Sequence, residues 1–254
     1  GTANGTTQTS CAAGKYKAAH TVNYGSTSSC SDCAAGTYST GGAASCTTCT
    51  AGYYCPGGTN RIQCSSGYTS SAGASSCSPS YTVKTGVAGT ISAGSNYRHP
   101  YSYTYASTGW MSTMQGFVGR NGTYNYSYIV TFKTPGSTND VTEKLVFKWW
   151  VASAGSTISS ETYRYAIASS TSNKGSYANA TGSVSDSYQL VQGTFTWNNI
   201  LAASGSANYQ TLTINTTALK GGTTYYLYLW PSKKGGISVL QQQNYSLSVN
   251  YRDY

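Results

Sequence analysis

All eight cysteines of this 254-residue chain fall within its first 77 positions: Cys11, Cys30, Cys33, Cys46, Cys49, Cys55, Cys64 and Cys77. No other feature constrains the fold as strongly. The first 80 residues hold almost no Leu, Ile, Val or Phe. They cannot bury enough apolar surface to offset the entropy of ordering their backbone, so cross-links must make up the difference. A cysteine share of about one in ten is the density of a disulfide scaffold. Zinc is the competing use. Cys30-x2-Cys33 and Cys46-x2-Cys49 form two CxxC pairs, but the spacer of twelve residues is short and four cysteines would be left over. Tetrahedral zinc sites of this kind space their pairs by about 15–20 residues. Disulfides are therefore expected for all eight, with no metal and no other cofactor.

The segment repeats. Cys11-Ala-Ala-Gly14-Lys-Tyr16, Cys33-Ala-Ala-Gly36-Thr-Tyr38, Cys49-Thr-Ala-Gly52-Tyr-Tyr54 and Cys64-Ser-Ser-Gly67-Tyr68 share one form. Gly25-Ser-Thr-Ser-Ser-Cys30, Gly42-Ala-Ala-Ser-Cys46 and Gly73-Ala-Ser-Ser-Cys77 close three of the units. Each unit reads as a small loop in which Gly permits the turn and an aromatic covers the disulfide. Stacked units of this kind make a rod rather than a globule.

The pattern C-x-x-G-x-Y…G-x-x-S-C-x-x-C resembles the ephrin-receptor-like cysteine-rich repeat, a relative of the tumour-necrosis-factor-receptor modules. The likeness covers Cys11 to about Cys77. It implies the pairs Cys11–Cys30, Cys33–Cys46, Cys49–Cys64 and Cys55–Cys77, the last interleaved. Eight cysteines allow 105 pairings, so spacing alone does not choose among them. Each such loop would contribute roughly 3 kcal/mol by restricting the unfolded chain.

After a polar joint at residues 78–80 the pattern changes to period-two alternation broken by Gly, Ser and Asn. Ten short strands are expected, near 81–85, 97–105, 115–119, 124–133, 141–152, 161–169, 188–197, 209–216, 223–230 and 237–251. The fold class is all-β: an N-terminal elongated disulfide-rich repeat rod (11–80) behind a flexible or neighbour-docking segment (1–10), then a jelly-roll-like β-sandwich (81–254). Leu145, Phe147, Trp149 and Val151 are assigned to its core, with Trp150 pointing outward. Tyr128, Val130 and Phe132 oppose the polar Asn125, Ser127 and Thr131. Leu212 and Ile214 face inward, as do Leu247 and Val249. In 223–230 neither face is polar, which marks a central strand or an interface. Residues 218–229 are also similar to the late strand of extracellular carbohydrate-binding and adhesion sandwiches, without implying any binding residue.

Candidate sites are few. Charged residues are 8% of the chain, with 6 Asp+Glu and 2 His. Asp32, Asp140, Glu143, Glu161, Asp186 and Asp253 are too scattered for a glycosidase pair, and His20 and His99 stand apart. With every cysteine committed to a disulfide, no enzyme is expected. Six Asn-x-Ser/Thr sequons occur, at Asn4, Asn121, Asn125, Asn179, Asn215 and Asn244, each on a polar strand face or in a turn. Trp110, Trp150, Tyr226, Tyr228 and Trp230 are the candidates for contact with a glycan or another subunit. The net charge of +9 is dispersed, which argues against nucleic acid. No apolar run spans a membrane. The chain opens at Gly1 with no Met or apolar leader, so a processed or partial product is expected. Together these point to an extracellular or cell-surface protein that has passed through the secretory pathway. Two functions compete. One is a structural subunit of a glycosylated surface filament, its partners being copies of itself joined head to tail, through the last strand (237–251) or the N-terminus (1–10). The alternative is a glycan-binding or adhesion module, meeting surface polysaccharide or matrix proteins.

Overall fold

The computed structural model describes residues 10–18, 29–92, 95–98, 115–121, 124–153, 156–178, 180–202, 208–233 and 237–254. The expected strand at 97–105 lies there only as far as Arg98, and Asn4, Asn179, Trp110, His20 and His99 fall outside the described residues. The chain divides into two compact units, Gly1–Tyr81 with Tyr254, and Thr82–Asp253.

The first unit is a stack of four two-residue hairpins: β1 (Lys15–Tyr16) with β2 (Ser31–Asp32), β3 (Thr37–Tyr38) with β4 (Thr47–Thr48), β5 (Tyr53–Tyr54) with β6 (Ile62–Gln63), and β7 (Tyr68–Thr69) with β8 (Ser78–Pro79). The C-x-x-G turn recurs because its glycine takes a left-handed conformation, at φ 85°, 87°, 82° and 79° for Gly14, Gly36, Gly52 and Gly67. Each of these carbonyls accepts from the residue that opens the next unit: Cys33 N–H to Gly14 at 2.9 Å, Cys49 to Gly36 at 2.9 Å and Cys64 to Gly52 at 3.0 Å. Ser80 takes the same place against Gly67 at 2.7 Å, where a fifth cysteine would stand.

All eight cysteines are paired, but two of the four expected pairs are not formed. The bonds are Cys11–Cys30, Cys33–Cys46, Cys49–Cys55 and Cys64–Cys77. The register gives the reason. In units one, two and four a cysteine immediately precedes the returning strand. In unit three that position is Arg61, ahead of Ile62–Gln63. Cys64 already opens the next unit. Cys49 therefore bonds across one hairpin arm to Cys55, a separation of six residues. Arg61 closes the loop by other means: Nη1 donates to Thr50 Oγ1 at 3.1 Å, and the guanidinium lies 4.4 Å from the centroid of Tyr53.

The second unit is a two-layer sandwich of ten antiparallel strands: β9 (Thr82–Ile91), β10 (Ser95–Arg98), β11 (Gln115–Asn121), β12 (Tyr124–Lys133), β13 (Val141–Ser153), β14 (Ile158–Ala168), β15 (Gln189–Ile200), β16 (Tyr209–Asn215), β17 (Thr224–Pro231) and β18 (Ile237–Asp253). One layer runs β15-β14-β17-β12, with β10 beside β12. The other runs β18-β13-β16. Both β11 and β9 pair with β12 and with β18, so the layers join along one side. β9 outruns the expected strand because a bulge absorbs its glycine: Gly86, at φ 66°, donates its N–H to Asn250 Oδ1 at 2.8 Å.

The inner faces bury Leu145, Phe147, Trp149, Val151, Tyr128, Val130, Phe132, Leu212, Ile214, Leu247 and Val249, as the alternation predicts, together with Leu227 and Leu229, which alternation left unassigned. Phe132 meets Phe147 edge-on at 5.1 Å, and Trp149 meets Trp197 at 5.9 Å, across the layers. Two expectations fail. β18 is not an edge available to a neighbour, since β13 lies on one side of it and β9 and β11 on the other. The outer face of β12 is not solvated either. Asn125 is only 3% exposed and Ser127 is fully buried.

Candidate functional site

The covering of β12 is supplied by the connection between β14 and β15. Residues 169–178 and 180–188 return over the outside of β12, β17 and β14 through a single 3-10 turn, Lys174–Tyr177. Tyr177 is the anchor. Its ring stacks on Tyr228 at 3.9 Å, with 7° between planes, and meets Trp230 edge-on at 5.2 Å. Polar groups fix the strap at several points. Trp230 Nε1 donates to the Gly182 carbonyl at 3.0 Å, Asn125 Nδ2 to Ala180 at 3.4 Å, and Ser127 Oγ to Tyr177. Asp186 accepts from Tyr177 Oη at 2.9 Å, from Asn173 Nδ2 at 2.8 Å and from Tyr188 N–H at 2.9 Å. Burial, and then the bond to Asp186, push the Tyr177 phenol well above its usual range. Tyr228 and Trp230 are 0% and 1% exposed. The apolar outer face of β17 thus belongs to a second core formed by the chain itself, not to a glycan or a subunit. Tyr226 is half-buried at its margin. The same strap overturns Asn125 as a glycan acceptor, because its amide is sealed beneath it.

The opposite outer face remains a surface. Along β13, Lys144, Val146, Lys148 and Trp150 point away from the core and are half-buried. Register places them beside Asn215, Thr213, Thr211 and Tyr209 of β16, and Lys144, Val146 and Lys148 also beside Asn250, Ser248 and Ser246 of β18. The face is a grid of hydroxyls and amides with two lysines, ending in an aromatic pair. Trp150 is directly opposite Tyr209, which is 46% exposed. Lys148 Nζ lies 4.8 Å from the Tyr209 ring centroid. Among the described tryptophans, Trp149, Trp197 and Trp230 are each 1% exposed, which leaves Trp150 as the one that reaches the surface. Asn215 is exposed at the far end of β16. Asn121 and Asn244 lie on β11 and β18.

The acids are spent on structure. Asp32 pairs with Lys15 at 2.6 Å, Glu143 with Arg252 at 2.6 Å and Asp253 with Lys84 at 3.2 Å. Asp140 is 2% exposed; its carboxylate accepts the Ser137 N–H at 2.5 Å and closes the turn before β13. Asp186 holds the strap, and Glu161 is largely buried on β14. Sequence reasoning missed the strap itself. Its signal, a Tyr-containing polar loop long enough to cross three strands, had no periodicity to mark it.

No family model matches the chain, and no curated protein matches it. Solved structures with a limited likeness include an arabinose-bound α-L-arabinofuranosidase (9% identity, TM-score 0.27, covering 48% of this chain and 19% of that one). A CBM4 structure shares 9% identity at a TM-score of 0.26, over 53% of this chain and 86% of that one. The K2 cleaved adhesin domain of Lys-gingipain shares 11% identity at 0.28, over 53% and 69%. At these scores the likenesses carry no weight for fold or function. The ephrin-receptor-like resemblance of the repeats is not matched by any family model.

Proposed function

We propose that this is an extracellular glycan-binding module, with the outer face of β13, β16 and β18 as its contact surface. The observation that carries the proposal is the pair Trp150–Tyr209 beside Lys148. Aromatic rings left on a β-sandwich surface, rimmed by hydroxyl and amide groups, suit the C–H faces and hydroxyls of pyranose rings. The lysines, Lys144 and Lys148, on the same face favour a polysaccharide bearing carboxylate or sulfate. Four disulfides in the repeat unit are consistent with an oxidising compartment and so with secretion. The repeat stack then serves as a spacer, and N-linked glycans on exposed Asn215 would decorate the protein.

The test is binding of the full, non-reduced chain to arrayed neutral and acidic polysaccharides, followed by titration calorimetry on the strongest. Trp150→Ala and Tyr209→Ala should each weaken binding at least about tenfold, equal to about 1.4 kcal/mol, with the melting temperature nearly unchanged. Binding that survives both substitutions would overturn the assignment. A second reading, a structural subunit of a surface assembly, has its own observation: neither terminal strand of the sheet, β15 or β16, carries a charged residue.

A further inference from the structure

β15 is the end of its layer. β14 pairs with one side of it, and among the described residues no strand pairs with the other. Proteins that stay single blunt such edges with Lys, Pro or bulges. Here residues 188–203 contain neither a charge nor a proline, although the whole chain holds 15 Lys+Arg. The edge is bounded at both ends. A register shift at Leu190 interrupts the ladder near its start. Near its finish, Gln210 Nε2 caps the Asn198 carbonyl at 2.9 Å and Asn208 Nδ2 caps Asn199 at 2.7 Å. Between these limits Val191–Trp197 keep unbroken register with β14. Val191, Gly193, Phe195 and Trp197 face the core side, and Gln192, Thr194 and Thr196 face out and are exposed.

We propose that this edge pairs antiparallel with the same edge of a second copy, about a two-fold axis at Thr194. The strand is complementary to itself in that register. Core-side residues meet core-side residues: Val191 faces Trp197, and Gly193 faces Phe195. On the outside Gln192 faces Thr196 and Thr194 meets its own copy. Gly193 puts no side chain of its own in that row, where the Tyr165 ring of β14 already lies over it. Charge decides for a copy of the same chain over an unrelated partner. The sandwich unit carries +7, from 12 Lys+Arg less 5 Asp+Glu. Two copies that meet along β15 bring none of that charge onto the paired strands themselves; the nearest is Arg164 of β14, in register with Thr194. A basic or acidic partner would find nothing on this edge to select it. The contact is isologous and closed, so it yields dimers. It is independent of glycan binding, since β15 lies in the other layer from Trp150.

Sedimentation of the full, non-reduced chain from micromolar to near-millimolar concentration tests it. The expected result is a monomer–dimer equilibrium, with amide exchange across 191–197 slowing as the dimer forms. Thr194→Lys places two like charges on the axis and should weaken the dimer at least about tenfold, while Thr194→Val retains it. Thr211→Lys, on β16, should leave it unchanged. Circular dichroism and melting establish that each variant is folded. A wild-type chain that stays monomeric throughout overturns the proposal. So does a dimer that survives Thr194→Lys, or one that Thr211→Lys dissolves, or open-ended polymers in place of dimers.

Discussion

Replacing Tyr177 by Ala tests the strap over β12, β17 and β14. The ring is fully buried, stacked on Tyr228 at 3.9 Å and edge-on to Trp230 at 5.2 Å, and its hydroxyl reaches Asp186. Deleting a buried aromatic side chain costs about 3–5 kcal/mol when the site cannot collapse. Collapse is limited here because Tyr228 and Trp230 are fixed by the sheet, and a strap shifted inward would break the Trp230–Gly182 bond. A loss of about 4 kcal/mol is expected. For a unit of this size that lowers the melting temperature by on the order of 10 °C. Tyr177→Phe keeps the stacking and loses only a hydrogen bond to a charged group, worth about 1.5–3 kcal/mol at most. Asp186 retains Asn173 and the Tyr188 amide, so the low end applies. Urea unfolding followed by tryptophan fluorescence measures both. If Tyr177→Ala costs less than about 1 kcal/mol, a typical surface change, the strap is not packed, and Tyr228 and Trp230 return as candidates for ligand contact.

Peptide mapping without reduction should recover Cys49 linked to Cys55 and Cys64 linked to Cys77, and Arg61→Ala should loosen the third repeat by about 1 kcal/mol through its lost ring contact and hydrogen bond. Intact glycopeptide analysis after secretion from a eukaryotic host should find Asn215 occupied and Asn125 bare. The raised Tyr177 pKa sets an alkaline limit. Folded and unfolded chains both keep this phenol protonated below about pH 10. Above it the unfolded chain ionises first, so stability falls as pH rises, and Tyr177→Phe should flatten that fall in an alkaline unfolding series.

The sandwich was legible wherever one face of a strand is apolar and the other polar. β13, β16 and β18 show this alternation, and Leu145, Ile214 and Val249 went to the core on it. Alternation failed where both faces are covered. Asn125 and Ser127 look solvated on β12 because their partners, the Ala180 and Tyr177 carbonyls, are backbone groups some fifty residues away. On β17, apolar on both faces, the choice between a central strand and an interface stayed open; the strand is central, between β14 and β12, and its outer face belongs to the internal second core. Of the five aromatic candidates the strap removes two outright. Trp150 survives because its neighbours on β13, Lys144 and Lys148, mark that side as outward. The repeat unit was read correctly as a disulfide stack from the C-x-x-G motif. Its third and fourth bonds were missed because the substitution that redirects them, Arg61 in a cysteine's place, becomes visible only once the hairpins are in register.

Ser80 occupying the slot of a fifth opening cysteine has a consequence for how such a chain can change length. Each hairpin is joined to its successor by several backbone bonds, and the one that hands the chain on runs from the opening residue's N–H to the preceding glycine's carbonyl; Ser80 satisfies that bond as well as a cysteine does. The junction therefore does not register how many hairpins precede it. A duplicated or deleted segment of one unit, cut between the returning strand and the next opening residue, would leave every remaining bond with an equivalent partner. The number of hairpins becomes a quantity that gene duplication can adjust in whole steps, with the sandwich sequence untouched.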